Sequence, residues 1–594
     1  MKLAWHNTLM KPKLPLSHRI NNSLDEFRLQ TAQPDALIQL SLLALLIGLL
    51  AGGAIVLFIL LIDSLLGFWL PNNATENFEG LSPSTRLLAP VIGAVLMAIL
   101  FKLFSRPDQS VGVVNVIERL RYHEGYLRIR GFILQFVGAT IALVSGHSMG
   151  REGPSIHLGA FVGSYFAQLI GLPNNAIRTL VACGAAAGIS AAFNTPLAGV
   201  IFAMEIIILE YTFSSFIPII ISAVAATTLS RSFLGDDLIF ITGVIPSMSI
   251  TEIPFVVLLG ILVGLGSTIF TSIIRITTEL TKTLGLSIRF VFAGIITGVI
   301  AIYVPQIMGL GYDTLNAALL GELSLTLLFI IFAAKLIVTA IAVGCSIPAG
   351  LIGPNLVIGA VGGAFMATFL NQFLNVPIEN ITLYALIGMS AMMGACLQAP
   401  LAALTAVFEI TANHAVIWPS MLAIVIAQLI SRQLFKQPPV FDLLLQVRGL
   451  DFREDPITQT LQRTGIAKAM NQNFRTLTQV CKANEIHRAV EDNPQWICIL
   501  NDYKPVAILR GMDLIQYLEK QTSESTDVSI DLLQIPAKRL QTETIDLRAT
   551  LAKTREIFNQ TNAEALCVTH WNTKAMRYIY GVITRDQFEE LYMR

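Results

Sequence analysis

Two stretches of this chain, both set in apolar sequence, are spaced copies of one another. Gly150-Arg151-Glu152-Gly153-Pro154-Ser155-Ile156-His157-Leu158-Gly159-Ala160 and Gly350-Leu351-Ile352-Gly353-Pro354-Asn355-Leu356-Val357-Ile358-Gly359-Ala360 share a GxxGP core and a closing Gly-Ala pair, 200 residues apart. A second pair follows at an offset of 204: Asn194-Thr195-Pro196-Leu197-Ala198 leading to Glu205-Ile206, and Gln398-Ala399-Pro400-Leu401-Ala402 leading to Glu409-Ile410. Duplicated hydrophobic halves, interrupted by Gly and Pro at matching places, are the pattern of a membrane protein whose broken helices meet near the midplane around a solute path.

The chemistry of such helix starts is specific. The first turn of a helix exposes backbone N–H groups with no intrahelical partner, and the aligned peptide dipoles add about half a positive charge there. Together they hold an anion without any cation. Glycine admits the close approach that a Cβ would block, and proline at the start sacrifices an N–H that was unpaired anyway. If the halves are inversely related, Gly150–Pro154 and Gly350–Pro354 converge. Packing glycines at helix crossings are the competing reading, but two copies in register, each followed by a matching second motif, favour the anion site.

Composition says where these motifs lie. The 594 residues are 54% hydrophobic and only 13% charged, against about 25% charged in an ordinary soluble domain. The deficit is concentrated between about Ala36 and Ile430, where runs such as Ala36–Ile62, Leu87–Phe104, Phe255–Phe270, Phe290–Val304 and Leu325–Val343 approach the roughly 20 residues that span a bilayer. Shorter, broken runs must be buried in protein, because unpaired backbone groups are not tolerated against lipid. Lys2, Lys11, Lys13, Arg19 and Arg28 precede the first long run without a compact apolar core and cleavage site, so the stretch does not read as a removable signal peptide. By the positive-inside rule this end is expected in the cytoplasm, and Arg432 and Lys436 place the C-terminal part there too. A net charge of zero gives no pointer to nucleic acid. The cysteines (Cys183, Cys345, Cys396, Cys481, Cys498, Cys567) form no CxxC pair and read as small apolar filler.

After about Gly465 the chain holds two similar blocks. Trp496–Leu500, Pro505–Leu509 and Asp513–Leu518 read as strand, strand and helix; Ala565–Thr569, Tyr580–Thr584 and Asp586–Leu591 repeat the order. This resembles a tandem pair of CBS domains, a βαββα module that often follows membrane transporters. In such pairs a Ser or Thr after the last strand, with an Asp three residues on, holds a nucleotide ribose. Here the first copy has Arg510 and Asp513, the second Thr584 and Gln587, so neither is complete. A dimerising or regulatory module is expected, with Asp513 and Thr584 the residues to watch for a weak nucleotide site.

Gly150-Arg151-Glu152-Gly153-Pro154 matches the GREGP signature of the CLC chloride channels and chloride/proton antiporters, Ala192–Gly199 resembles the segment that follows it there, and Gly350–Pro354 is similar to that family's GxFxP element, with Ile352 for Phe. The resemblance covers most of residues 36–445. It implies an all-α polytopic membrane protein, an inverted-repeat bundle with broken helices, followed by a small α/β cytoplasmic CBS pair. It also implies a homodimer with one pore per subunit. The expected organisation is a cytoplasmic segment 1–35, a transport domain 36–445, a linker 446–464 and CBS domains at 465–522 and 523–594.

The resemblance also implies roles. Glu152 is the gating glutamate, its carboxylate competing with a halide for one set of N–H groups. An ionisable residue inside a membrane is a functional hypothesis by default. The N–H groups of Gly153, Leu351 and Ile352 are anion donors and Arg151 sets the local potential. Three positions depart from the pattern. The serine hydroxyl of the family's GSGIP motif falls on Val111, within Ser110-Val111-Gly112-Val113-Val114. The tyrosine hydroxyl after the last membrane helix falls on Phe441. The inner proton-relaying glutamate falls on Ile206, leaving adjacent Glu205 as the candidate. Two lost donors weaken a central anion site, since a hydrogen bond to a charged group contributes about 1.5–3 kcal/mol; apolar side chains there also suit a constriction that gates by dewetting.

The function expected is transport of chloride or other small monovalent anions, as a gated channel or a proton-coupled antiporter in a bacterial inner membrane. No cofactor is expected. Fluoride/proton antiport is the alternative, because fluoride-selective members of the family depart at the same two positions. An intramembrane enzyme is not expected: the chain has no HExxH, and His147, His157 and His414 lack ligand spacing. A non-transporting membrane sensor acting through its tail is the remaining reading.

Overall fold

The computed structural model describes residues 27–28, 30–31, 36–73, 75–235, 240, 248–374, 381–450, 461, 464–502, 504–520, 529–571 and 577–592. Lys2, Lys11, Lys13, Arg19 and most of the expected linker 446–464 lie outside them. The chain divides into two compact units, 40–169 with 177–453, and 1–39 with 170–176 and 454–594.

Among the described residues of the chain, nine helices are long and apolar enough to cross a bilayer. The first half of the membrane unit runs α1 (Leu37–Trp69), α2 (Pro83–Lys102), α3 (Val113–Tyr122), α4 (Ile129–Val144), α5 (Glu152–Ile170), α6 (Asn174–Phe193), α7 (Pro196–Phe202) and α8 (Phe213–Leu234). The second half repeats that order: α9 (Ile253–Thr281), α10 (Leu286–Tyr303), α11 (Tyr312–Leu319), α12 (Leu325–Gly344), α13 (Ile352–Leu374), α14 (Ile381–Leu397), α15 (Pro400–Thr411) and α16 (Ile417–Gln428). Helix α17 (Val440–Val447) closes the unit, two residues past the expected edge at 445. Local chemistry sets many of the starts. Ser82 and Ser324 cap α2 and α12 through the N–H groups of Thr85 and Leu327, and Pro196 and Pro400 stand at the first position of α7 and α15.

Glycine lets the central helices touch. A Cβ on Gly159 of α5 would lie 2.1 Å from the carbonyl oxygen of Gly184 on α6, and one on Gly163 would lie 2.0 Å from that of Leu180. The second half does the same with Gly359 against Gly388, and Gly363 against Tyr384 on α14. So the packing reading holds for these glycines, which form small-xxx-small crossings within each half. It does not account for the GxxGP glycines, which meet between halves.

In the tail unit, β1 (Phe474–Thr478), β2 (Val480–Lys482), α18 (Ala483–Val490), β3 (Trp496–Asn501), β4 (Lys504–Arg510), α19 (Gly511–Lys520) and β5 (Ser529–Asp531) are followed by β6 (Leu540–Asp546), α20 (Leu551–Gln560), β7 (Ala565–Trp571), β8 (Arg577–Thr584) and α21 (Arg585–Tyr592). Six strands form one sheet in the order β1-β3-β4-β6-β7-β8, so a βαββα unit occurs twice. β1 runs parallel to β3 and β6 to β7, while the β3–β4 and β7–β8 pairs are antiparallel. Strand alternation supplies two apolar faces. Ile497, Ile499 and Leu509 build a core within the first copy, while Trp496, Cys498 and Ile508 face Ala565, Cys567 and Val582 of the second. Packing does not follow the linear boundaries 465–522 and 523–594. Ile466, Ala469 and Met470 join the core of the second copy, and Ile530, Leu532 and Ile535 join that of the first. Pairing of β2 with β5 draws the later segment back.

Candidate functional site

The duplicated motifs converge. Gly150 and Gly350 form an isolated antiparallel bridge, each N–H donating to the other's carbonyl at 2.7 Å. The approaches match bond for bond. Gly146 (φ 82°) and Ser346 (φ 64°) turn the chain out of α4 and α12 in the left-handed region. Met149 then donates to the carbonyl of His147, and Ala349 to that of Ile347, both at 2.8 Å. Two helix N-termini, of α5 and α13, are thereby brought to one point from opposite halves.

Glu152 occupies that point. Its side chain is fully buried. One carboxylate oxygen accepts the N–H of Gly353 at 3.1 Å, and the other accepts the hydroxyl of Tyr312 at the start of α11. A carboxylate of the first half thus sits on the helix start of the second, where a helix dipole and an unpaired N–H favour an anion.

Beside this seat lies a cavity of ≈ 340 Å³. Its wall includes Val111, Gly112, Gly153, Leu351, Ile352 and Phe441, together with Ser346, and three cations also line it: Lys282, Arg289 and Arg448. So five of the residues singled out from sequence line one space. Val111 precedes Gly112, the positive-φ residue before α3, and Phe441 is the second residue of α17, after Pro439 at the N-cap.

Arg151 is placed elsewhere. It does not line the cavity; its guanidinium lies 3.9 Å from Asp63 of α1 and 5.8 Å from the centre of the Tyr312 ring. Glu205 is also turned away from an anion path. It sits in a single turn of π-helix that extends α7, and its carboxylate accepts the N–H groups of Leu401 (3.4 Å) and Ala402 (2.8 Å) at the start of α15. Glu409 does the reverse, accepting Leu197 (2.9 Å) and Ala198 (2.7 Å) at the start of α7. These reciprocal caps are the second contact between the duplicated motifs. Ile206 is buried beside Glu205.

Sequence reasoning did not find Tyr312, Gly353, Ser346 or the three cations. Gly353 was within reach, as the partner of Gly153 at the same 200-residue offset. Tyr312 belongs to no repeated motif and meets Glu152 only through the fold.

In the tail, a separate cleft of ≈ 540 Å³ is lined by Trp496, Arg510, Lys538, Glu564, Thr584 and Asp586, among others. Thr584 is there and Asp513 is not. The amide of Gln587, at the position where an acid would hold a ribose, donates to the carbonyl of Ala469 at 3.1 Å.

A family model described as voltage gated chloride channel matches residues 93–432. The chain belongs to this family. CLC membership makes it an integral membrane protein. A putative chloride channel protein of Ralstonia nicotianae is 30% identical over 344 residues, covering 57% of this chain and 80% of its own length. Among solved structures, a slow cyanobacterial Cl−/H+ antiporter is similar with a TM-score of 0.62 at 23% identity, covering 69% of this chain and 98% of that one. A CLC-type fluoride/proton antiporter gives 0.57 at 21%, covering 68% and 97%. A eukaryotic CLC transporter, at 0.57 and 17%, extends the match to 93% of this chain and 98% of its own. At these identities the structures speak for the fold: a CLC-type bundle with a small α/β tail.

Proposed function

We propose that the protein carries chloride across the membrane along the path that ends at Glu152, and that protonation of Glu152 opens it. The observation that carries this is the seat of the Glu152 carboxylate on the Gly353 N–H, next to a cavity lined by Val111, Gly153, Leu351, Ile352 and Phe441. A chloride ion entering that cavity meets the same kind of backbone donors that the carboxylate uses, so the two compete. Lys282, Arg289 and Arg448 raise the local anion concentration at the wall of the cavity. Arg151 acts at a distance, through its charge near Tyr312 and Asp63.

Uncoupled, channel-like flux fits best. The position that relays protons in the antiporters is Ile206, which cannot titrate, and Glu205 is committed to the α15 cap. The family resemblance further supports two copies per assembly, one path in each, cytoplasmic termini and a bacterial inner membrane. The tail fits a regulatory or dimerising module. Nucleotide binding there is disfavoured by the engaged amide of Gln587 and by Asp513 standing off the cleft.

Purified protein in liposomes with an outward chloride gradient tests the reading. Chloride efflux that rises as pH falls, without proton uptake, is expected. Glu152→Gln, a mimic of the protonated side chain, should leave efflux fast and independent of pH. Proton uptake driven by the chloride gradient would instead make this an antiporter. Efflux only when fluoride replaces chloride would move it to the fluoride branch.

A further inference from the structure

Glu152 is held from a second side by a residue that no repeated motif supplies. Tyr312 is the first residue of α11 and is buried. Its hydroxyl donates to the Glu152 carboxylate oxygen that the Gly353 N–H does not reach. The ring is fixed rather than free: it stands edge-on to Phe240 at 5.3 Å, with the Arg151 guanidinium on its face. The helix start that presents it is itself tied down, because the Glu76 carboxylate from the loop between α1 and α2 accepts the N–H of Asp313 at 2.9 Å. With two donors on two oxygens, the carboxylate keeps one orientation.

The geometry points to Tyr312 as a latch on the gate, a positioning residue that holds ionised Glu152 on the Gly353 N–H until protonation releases it. This rests on the assignment of Glu152 as the gate and adds to it a donor from α11. The path is missing hydroxyls at Val111 and Phe441, whose task is to hold chloride. The hydroxyl of Tyr312 is used on the competitor instead, so the closed state is favoured twice over.

The charged and titratable groups around the latch come from five elements or loops. Arg151 precedes α5, Asp63 reaches it from α1, Glu76 lies in the α1–α2 loop, Asp313 follows Tyr312 on α11, and Lys335 of α12 bonds the carbonyl of Ile307 at 3.1 Å. Burial and the neighbouring Asp313 carboxylate push Glu76 up to about 7.

The sign of the expected effect follows from the donor. Without the Tyr312 hydroxyl the Glu152 carboxylate is held by the Gly353 N–H alone and leaves its seat more readily. Tyr312→Phe keeps the ring, its contact with Phe240 and the cation on its face. Chloride efflux from liposomes should then half-activate about one pH unit higher than in the wild-type protein, with more flux at neutral pH. Glu76→Gln, which loosens the anchor and leaves the latch, should shift the curve the same way by less. In a Glu152→Ala background the rise caused by Tyr312→Phe should disappear, since there is nothing to hold. A curve unmoved or moved to lower pH in Y312F, or a rise that persists without Glu152, overturns the latch and leaves the gate assignment standing. A pH-dependent E152A protein overturns both.

Discussion

The loops that begin α5 and α13 are almost the same backbone carrying different side chains, and the difference separates architecture from control. Both leave a helix through a left-handed residue, both donate two residues back across the turn, and both meet at the Gly150–Gly350 bridge. Yet Arg151-Glu152 stands opposite Leu351-Ile352. What the halves share builds two anion-attracting helix starts at one point. What they do not share puts one carboxylate between them. On the proposed reading, a symmetric scaffold becomes a gated path because only one half supplies the plug, and α11 of the other half supplies a hydroxyl to hold it.

Adding one methyl group to either bridge glycine should break the symmetry in opposite ways. A Cβ on Gly350 would lie 2.6 Å from the Gly153 nitrogen and 2.9 Å from the Gly150 carbonyl oxygen, both backbone atoms with nowhere to go. Gly350→Ala should therefore part the two loops at a cost of about 3 kcal/mol or more, read as a large drop in thermal stability in detergent. A Cβ on Gly150 meets first the Glu152 carboxylate, at 2.2 Å, and then Pro354 at 2.9 Å. Gly150→Ala should displace the movable carboxylate, leaving a folded protein whose chloride efflux is raised at neutral pH. Equal stability losses in the two variants would mean that the bridge, and not the seat of Glu152, dominates both positions.

The second motif pair tests the opposite expectation, that the halves are equivalent. Glu205 and Glu409 each accept two N–H groups of the other half's helix start. Removing either carboxylate by substitution with Ala leaves two first-turn donors unpaired, at about 1.5–3 kcal/mol apiece for a charged acceptor. Thermal unfolding of E205A and E409A should show losses that agree with one another, and neither should alter proton movement. A change in proton movement in E205A alone would restore Glu205 as a relay.

Much of this was legible in the chain, for a physical reason. Repeats, Gly-Pro breaks and apolar length are local properties, so the membrane spans and the two halves could be read from spacing, while the inverted-repeat bundle was what the resemblance implied and the meeting of the motifs was expected only if the halves were inversely related. The side of the path on which Val111 and Phe441 stand could be read as well, because the resemblance fixes them relative to the motifs. Contacts that depend on how α11 and α12 fold back could not. Tyr312 begins α11 after the left-handed Gly311 as Val113 begins α3 after Gly112, but the first half has valine where the second has tyrosine, and the partner of Tyr312 is 160 residues away. The exchange of segments in the tail was hidden for a similar reason. Ile530 and Ile466 are plain apolar residues whose choice of core is made by the β2–β5 pairing and by the sheet as a whole.

Returning the two missing hydroxyls sharpens the contrast between a path that holds chloride and one that merely admits it. Val111→Ser with Phe441→Tyr places donors on the wall of the cavity, where each hydrogen bond to an anion is worth about 1.5–3 kcal/mol. Chloride affinity measured by isothermal titration should rise by about tenfold or more, and no change would remove both residues from the anion path.

The smallest effect concerns the turn before each loop, where one half keeps glycine and the other does not. Ser346 adopts φ 64°, a conformation that costs an L-residue about 1–2 kcal/mol relative to glycine. Its counterpart Gly146, at φ 82°, has no such room: a Cβ there would lie 2.5 Å from Met308 and 2.9 Å from Phe78. Ser346 borders the cavity and escapes that crowding, so its penalty is conformational alone. Ser346→Gly should stabilise the protein by about 1 kcal/mol, whereas Gly146→Ser should destabilise it, because conformational cost and steric overlap add. The pH curve of chloride efflux should stay where it is in S346G, since Glu152 takes its bonds from Gly353 and Tyr312. A stabilised variant with a shifted curve would show that the turn before α13 also sets the seat of the gate, and the two halves would then differ in control at two places rather than one.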